Sequence, residues 1–218
     1  MGKAITARKL VTLIKKGDVE GVAKSLEAGG EMQSLVDGIS PLGWAVTENQ
    51  PEIVRLLLES GADVESPQKN GSTPLQTCSV VRSEHLPDAD AVVMADLLIK
   101  HGANVMACGD KYHACAPLAM AKMRGKKQLA ALLTQHGAVA FDVVITMKNS
   151  QHKPLAGEFY YGIPNGEYPV AEADPAGKLK LENVFPGQFI VGYEGDEQLV
   201  TIDEKGSATP AELIWDTQ

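Results

Sequence analysis

The densest group of reactive side chains in this sequence is a C-x4-H-x-C cluster formed by Cys108, His113 and Cys115. Thiolates and imidazoles are zinc ligands, and a closed zinc site takes about four of them. Only three lie together here, and their spacing matches no common zinc motif. A loop holding small buried thiols explains the same residues, so no metal is assigned. The sequence has no G-x-x-x-x-G-K-[ST] phosphate loop, no G-x-G-x-x-G and no H-E-x-x-H. It also lacks the G-x-S-x-G nucleophile turn. Carboxylates are plentiful but scattered, and no pair is marked as acid and base. The expectation is a chain with no catalytic residues, no cofactor and no enzymatic activity.

Binding remains, and the charge distribution bears on it. The net charge of −8 is unevenly spread. Residues 1–140 carry 15 Lys+Arg and 15 Asp+Glu, whereas residues 141–218 carry 5 and 13. Such an acidic second part argues against nucleic acid as its partner, and a solvated acidic surface is the plainer account of it. No apolar run approaches the ~18 residues that cross a membrane, and no signal-peptide core is visible at the start. Three cysteines are too few for a disulfide framework and fit a reducing compartment, so the cytoplasm is expected.

The elements that would carry a binding surface can be read from one recurring phrase. "LLLESGADV" returns as "LLIKHGANV" and "ALLTQHGAVA", and more faintly as "SLEAGGEM", each with a glycine that stops a helix: Gly29, Gly61, Gly102 and Gly137. Upstream of the last three stand "SPLGWAV", "TPLQTCSV" and "APLAMAK". A hydroxyl followed by Pro is a helix start, with Ser40 or Thr73 as the cap and Pro at the first helical position. Ala116 keeps the Pro but has no capping hydroxyl, and in the first copy Arg8 stands at the aligned position. Each unit reads as helix, turn, helix, loop. Copy three carries eight extra residues, about Ser83 to Asp90. Pro87 bars a helix through them, and Asp88 or Asp90 is placed to cap the helix that follows.

This pattern resembles the ankyrin repeat, which opens on T-P-L-H and has a period near 33 residues. The resemblance covers residues 5–140 and implies a solenoid of four repeats. Gly43, Gln76 and Ala119 stand where the family has His, which puts that side chain's hydrogen bond in question. Trp44 and Cys78 fall at core positions, and Lys9, Lys15 and Lys16 of the terminal copy are expected outside. After Ala140 the period becomes alternating. "FDVVITM", "EFYYGI", "YPVAEA", "KLKLENV", "QFIVGY" and "QLVTID" read as strands, with "AELIWD" as a seventh, separated by Gly/Pro/Asn/Asp turns. "KPLAGEF" and "ADPAGKLKLENVFPGQFIV" resemble the transthyretin-like or carboxypeptidase-regulatory-like sandwich, implying a turn at Asp174 and Gly177 and a hairpin at Pro186 and Gly187. The Y-R-G-S ending of that fold's enzymes is absent. The expected class is thus α+β multidomain: an ankyrin domain over residues 1–140 and a small antiparallel β-sandwich over 141–218.

The ankyrin resemblance implies a groove that grips a folded protein partner, with neither nucleic acid nor membrane involved. Its expected lining is the helix-end pairs Thr47/Glu48, Val80/Val81 and Met123/Arg124, and the loop tips Val36/Asp37, Lys69/Asn70 and Tyr112/His113. Val80 and Val81 have two readings, since the copy-three insertion can also cover them. Small bacterial ankyrin proteins resemble immunity proteins, so a toxin or effector is one partner implied. The alternative is a ligand-binding or catalytic sandwich tethered by the repeats. Because period and charge change together near Ala138–Phe141, residues 1–140 and 141–218 should each express as folded pieces. Circular dichroism should show the first to be helical and the second β-rich.

Overall fold

The computed structural model describes residues 6–69, 71–107, 116–162, 170–203 and 205–216. Described residues up to Ala138 form one compact unit, and those from Val139 onward form another.

The first unit is built of short helices: α1 (Ala7–Lys15), α2 (Val19–Glu27), α3 (Pro41–Thr47), α4 (Pro51–Glu59), α5 (Pro74–Val80), α6 (Asp88–Lys100), α7 (Pro117–Met123) and α8 (Lys127–Gln135). Pro41, Pro74 and Pro117 each open a helix. Ser40 Oγ accepts from the Gly43 N–H at 3.0 Å, and Thr73 and Gln76 form a reciprocal capping box. Ala116, as its side chain dictates, caps nothing. The first copy starts earlier than the alignment placed it. Thr6, not Arg8, precedes α1, and Glu31 Oε2 accepts the Ala7 N–H.

The recurring glycines end α2, α4, α6 and α8 with φ of 77°, 87°, 94° and 91°. In each case the next residue's N–H reaches back to a carbonyl of the last turn: Gly30 to Ser25, Ala62 to Leu57, Ala103 to Leu98 and Ala138 to Leu133, at 2.8–3.0 Å. A Cβ at any of the four glycines would meet nothing within 4 Å. Backbone conformation, not space, therefore selects glycine there, which explains why the phrase survives in copies whose flanking residues differ.

The core runs along the inward faces of these helices, with Leu10, Ile14, Ile53, Leu57, Leu75, Met94, Leu98, Leu129 and Leu133 at 0% exposure. Cys78 lies among them as expected, and burial pushes its thiol up to about 12, so it stays protonated at neutral pH. Lys9, Lys15 and Lys16 are exposed. Lys126 is the exception, a lysine with 1% exposure. Its Nζ donates to the carbonyls of Cys78 at 2.7 Å and Leu86 at 3.1 Å.

The second unit is one eight-stranded sheet: β1 (Phe141–Asn149), β2 (Gly157–Gly162), β3 (Val170–Ala173), β4 (Lys178–Val184), β5 (Gly187–Tyr193), β6 (Asp196–Ile202), β7 (Ala208–Thr209) and β8 (Glu212–Trp215). Its order is β7-β6-β5-β2-β3-β4-β1-β8. All seven expected strands are present, and the two-residue β7 is added. In place of the expected two-layer sandwich, the hydrogen-bonded ladder is continuous and curls back in a barrel-like way. Its two ends approach: Gln198 Nε2 on β6 donates to the Ile214 carbonyl on β8 at 2.6 Å. The β1–β8 pairing is parallel, a departure from the antiparallel expectation.

Asp174 and Gly177 do form the β3–β4 turn. Asp174 Oδ1 accepts from the N–H groups of Ala176 and Lys178. Gly177 has φ 72°, and a Cβ there would collide with the Met147 carbonyl oxygen. Pro186 and Gly187, in contrast, are not a hairpin. β4 pairs with β1 and β3, while β5 pairs with β2 and β6, so this link carries the chain to a different part of the sheet. Alternate residues point inward, including Val143, Ile145 and Met147 of β1, Phe159 of β2 and Trp215 of β8.

Burial of its ammonium holds Lys126 below its ordinary pKa, opposed by the nearby Asp88 carboxylate. The unfolded chain therefore binds the proton more tightly, and stability should rise with pH between the lowered native pKa and the ordinary lysine value. Lys126→Met should remove that alkaline rise from the difference curve. It should also cost about 1–3 kcal/mol in denaturant unfolding at neutral pH, because two buried carbonyls lose their donor.

Candidate functional site

The expected groove residues fall into three groups. Asn70, Tyr112 and His113 lie outside the described residues, as do Cys108 and Cys115. Val36 is turned inward, a correction to its expected place on the surface. It is 7% exposed and packs with Ala7, Val11 and Trp44. Its backbone bridges Ile39, and its carbonyl accepts the Trp44 Nε1–H at 3.0 Å. This small cluster draws Val36 in, and Lys15 Nζ closes it from outside, 3.5 Å above the Trp44 ring. Trp44 thus packs, as its position implied.

Asp37 and Lys69 remain exposed at the loop tips. Asp37, at φ 54°, makes a 3.6 Å ion pair with Arg8 that solvent screens. Lys69 ties adjacent tips together through its backbone N–H, which donates to the Gly38 carbonyl at 2.7 Å. Met123, 60% exposed, and Arg124 stand outward at the end of α7.

The remaining helix-end residues converge. Thr47, Glu48 and Val81 line an open hollow of about 470 Å³, together with Glu84 and His85. Thr47 and Glu48 end α3, and Val81 ends α5. Glu84 and His85 belong to the copy-three insertion, which runs beside these helix ends and does not bury them: Val80 and Val81 are both half-buried. Glu84 and His85 were absent from the expected set. The signal for them was that the insertion leaves the chain directly at the end of a groove-facing helix. Among the described residues neither Glu48 nor Glu84 forms an ion pair. The hollow is thus acidic at its rim and apolar at Val81.

The insertion is a loop, as its proline required, but it shortens at the far end because α6 begins at Asp88. The two aspartates do not cap that helix. Asp88 instead accepts from the N–H groups of Gln128 and Leu129, at 2.9 and 3.0 Å, and so caps α8 in the next copy. The residue before α8 is Lys126, which cannot accept a hydrogen bond. Asp90 accepts from Asn49 Nδ2 in the previous copy at 2.7 Å. With Leu86 fully buried and its carbonyl held by Lys126, the loop is fastened immediately after the residues that line the hollow.

Gln76 settles the question raised by the missing histidines in one copy. Its Oε1 accepts the Thr73 N–H at 2.7 Å, and its Nε2 donates to the Ala107 carbonyl at 3.3 Å, a link to the following loop. Gly43 has no side chain with which to do this.

Asp88→Ala should strip two N–H groups of their acceptor. A loss of about 0.5–2 kcal/mol is expected in thermal or denaturant unfolding, together with faster amide exchange at Gln128 and Leu129.

Two comparisons bear on this unit. Residues 10–107 match the family described as ankyrin repeats (3 copies). Over 67 residues, 30% of this chain, the sequence is 42% identical to the 2-5A-dependent ribonuclease of Mus musculus, and the match spans 9% of that protein. Residues 10–107 of this chain are ankyrin repeats.

Proposed function

We propose that this chain is a non-enzymatic binding module whose fourth helical pair continues the repeats of residues 10–107, and that it grips a folded protein through the hollow at Thr47, Glu48, Val81, Glu84 and His85. The observation that carries this reading is the convergence itself. Helix ends from copies two and three and a fastened insertion meet at one concave spot, on a type of repeat that generally mediates contacts between proteins. Ankyrin stacks present an extended concave surface because each unit turns slightly on the last.

The chemistry of the hollow narrows the partner. Two carboxylates without ion pairs and an apolar side chain suit a basic, partly apolar projection, with Val81 buried at the centre and the charges at the rim. Met123 and Arg124 extend the surface along the stack. Blocking a toxin or effector is one form that such binding would take, and a basic active-site rim on that partner would fit this hollow.

A photo-crosslinking residue in place of Glu84 should trap the partner in the source cell, while the same residue in place of Lys24 should not. With the trapped partner purified, Glu48→Lys combined with Glu84→Lys should weaken binding by about tenfold or more and leave the melting temperature nearly unchanged. Full affinity in that variant, lost on deleting residues 141–218, would place the site in the second unit.

A further inference from the structure

The insertion that walls the hollow is tied to the start of α8 in both directions. Glu84 and His85 belong to one turn, closed by the N–H groups of His85 and Leu86, which both donate to the Arg82 carbonyl at 2.9 Å. The turn ends on Leu86, whose side chain is fully buried and whose carbonyl accepts from Lys126 Nζ at 3.1 Å. The same ammonium donates at 2.7 Å to the carbonyl of Cys78, in the last turn of α5. The final carbonyls of a helix have no partners within it, and a cation is favoured beside them. Lys126 therefore holds both the helix end where the insertion leaves the stack and the residue where it returns.

The dependence also runs the other way. Lys126 directly precedes α8, its carbonyl accepts the Ala130 N–H at 2.9 Å, and its side chain gives that helix no cap. The acceptor comes from Asp88, two residues beyond Leu86, which takes the N–H groups of Gln128 and Leu129 at 2.9 and 3.0 Å. The turn thus needs Lys126 held in place before α8, and the first turn of α8 needs Asp88 held in place after the insertion. Releasing either segment strips hydrogen-bond partners from the other, and the groups left behind include a buried ammonium and a buried carbonyl. Native proteins open locally in cooperative units. Here such a unit joins two segments that are far apart in sequence.

We propose that the turn at residues 82–86 and the first turn of α8 open and close as one unit, with Lys126 and Asp88 as its positioning residues, so that a ligand seated against Glu84 and His85 also steadies α8. The effect of a ligand rests on the hollow being the contact site; the joint opening does not. Linkage makes the effect reciprocal: whatever loosens α8 weakens the ligand. The contact face at copies two and three is thereby sensitive to the state of the helical pair that follows.

The test is amide exchange in the full chain, read residue by residue by NMR under conditions where the rate follows the opening equilibrium. His85, Leu86, Gln128 and Leu129 should share one opening constant. Ala131→Gly changes an exposed residue of α8. It should speed exchange at all four amides by about fivefold and leave Val54 in α4 as it was. Lys126→Met should speed the same four by about tenfold or more. Faster exchange in α8 beside an unchanged insertion, in either variant, would overturn the proposal. If Lys126→Met loses its dispersed spectrum, Leu86→Val takes its place, and an unchanged rate at Gln128 and Leu129 would be equally decisive against it. N-acetyl-valyl-arginine methylamide, which carries the cation and apolar group that suit the hollow, serves as ligand. At saturation it should slow all four amides together, and slowing confined to His85 and Leu86 would overturn the coupling. No saturable binding of this probe would count against the hollow as the contact site, while the ligand-free variants still decide the joint opening.

Discussion

A single buried ammonium organises the most irregular part of the repeat unit. Lys126 sits at the turn before α8, and its Nζ reaches back to two carbonyls of the preceding copy, one at α5 and one in the insertion. Burying a charged group is costly unless its hydrogen bonds are supplied. Here the insertion supplies one of them, so the loop is held in place by the demand of the lysine it covers. Asp88 completes the arrangement. It lies near enough to oppose the desolvation of Lys126 and spends its oxygens on the N-terminus of α8. Together with the fully buried Leu86 side chain, this set keeps the eight additional residues against the stack and so maintains one wall of the hollow at Val81.

The same logic runs through the unit at lower stakes. Gln76 joins α5 to the Ala107 loop, Asn49 joins the α3–α4 turn to Asp90, and the Lys69 backbone joins one loop tip to the one before. Each bond crosses from one copy to its neighbour. A helical pair of this length cannot bury its apolar face alone, and stacking on neighbours is what makes it stable. The polar ties fix the register of that stacking, and so fix which helix ends stand side by side at the candidate binding face.

The second unit solves a different problem, the exposed edges of a sheet. Curling brings β8 toward β6 and lets Trp215 of β8 share one core with Tyr193 and Phe159, whose neighbouring strands β5 and β2 lie far from β8 in the ladder. Tyr193 and Trp215 also line one hollow with Glu194, Asp196 and Asp216. The acidity that the composition placed in residues 141–218 thus gains a location, beside two aromatic rings.

Local chemistry was legible in the sequence. Proline and hydroxyl residues marked the starts of α3 and α5, and proline alone marked α7. Glycines in the left-handed region marked four helix ends, and alternation marked seven of the eight strands. Each depends on a residue's own backbone limits or on its nearest neighbours, which is why a repeated phrase sufficed. What the tertiary structure decided was every pairing between distant residues. Asp88 was read as a cap for its own helix and caps another, because the choice turns on which N–H groups lie within reach after packing. Val36 was read as a surface tip and is core, because Ala7, Val11 and Trp44 close around it. Pro186 and Gly187 were read as a hairpin and are a crossover, since turn residues specify a bend but not which strand receives the chain. Lys126 gave no sign of burial. Side-chain type constrains local conformation strongly, but desolvation and hydrogen-bond partners are set only when the chain has folded.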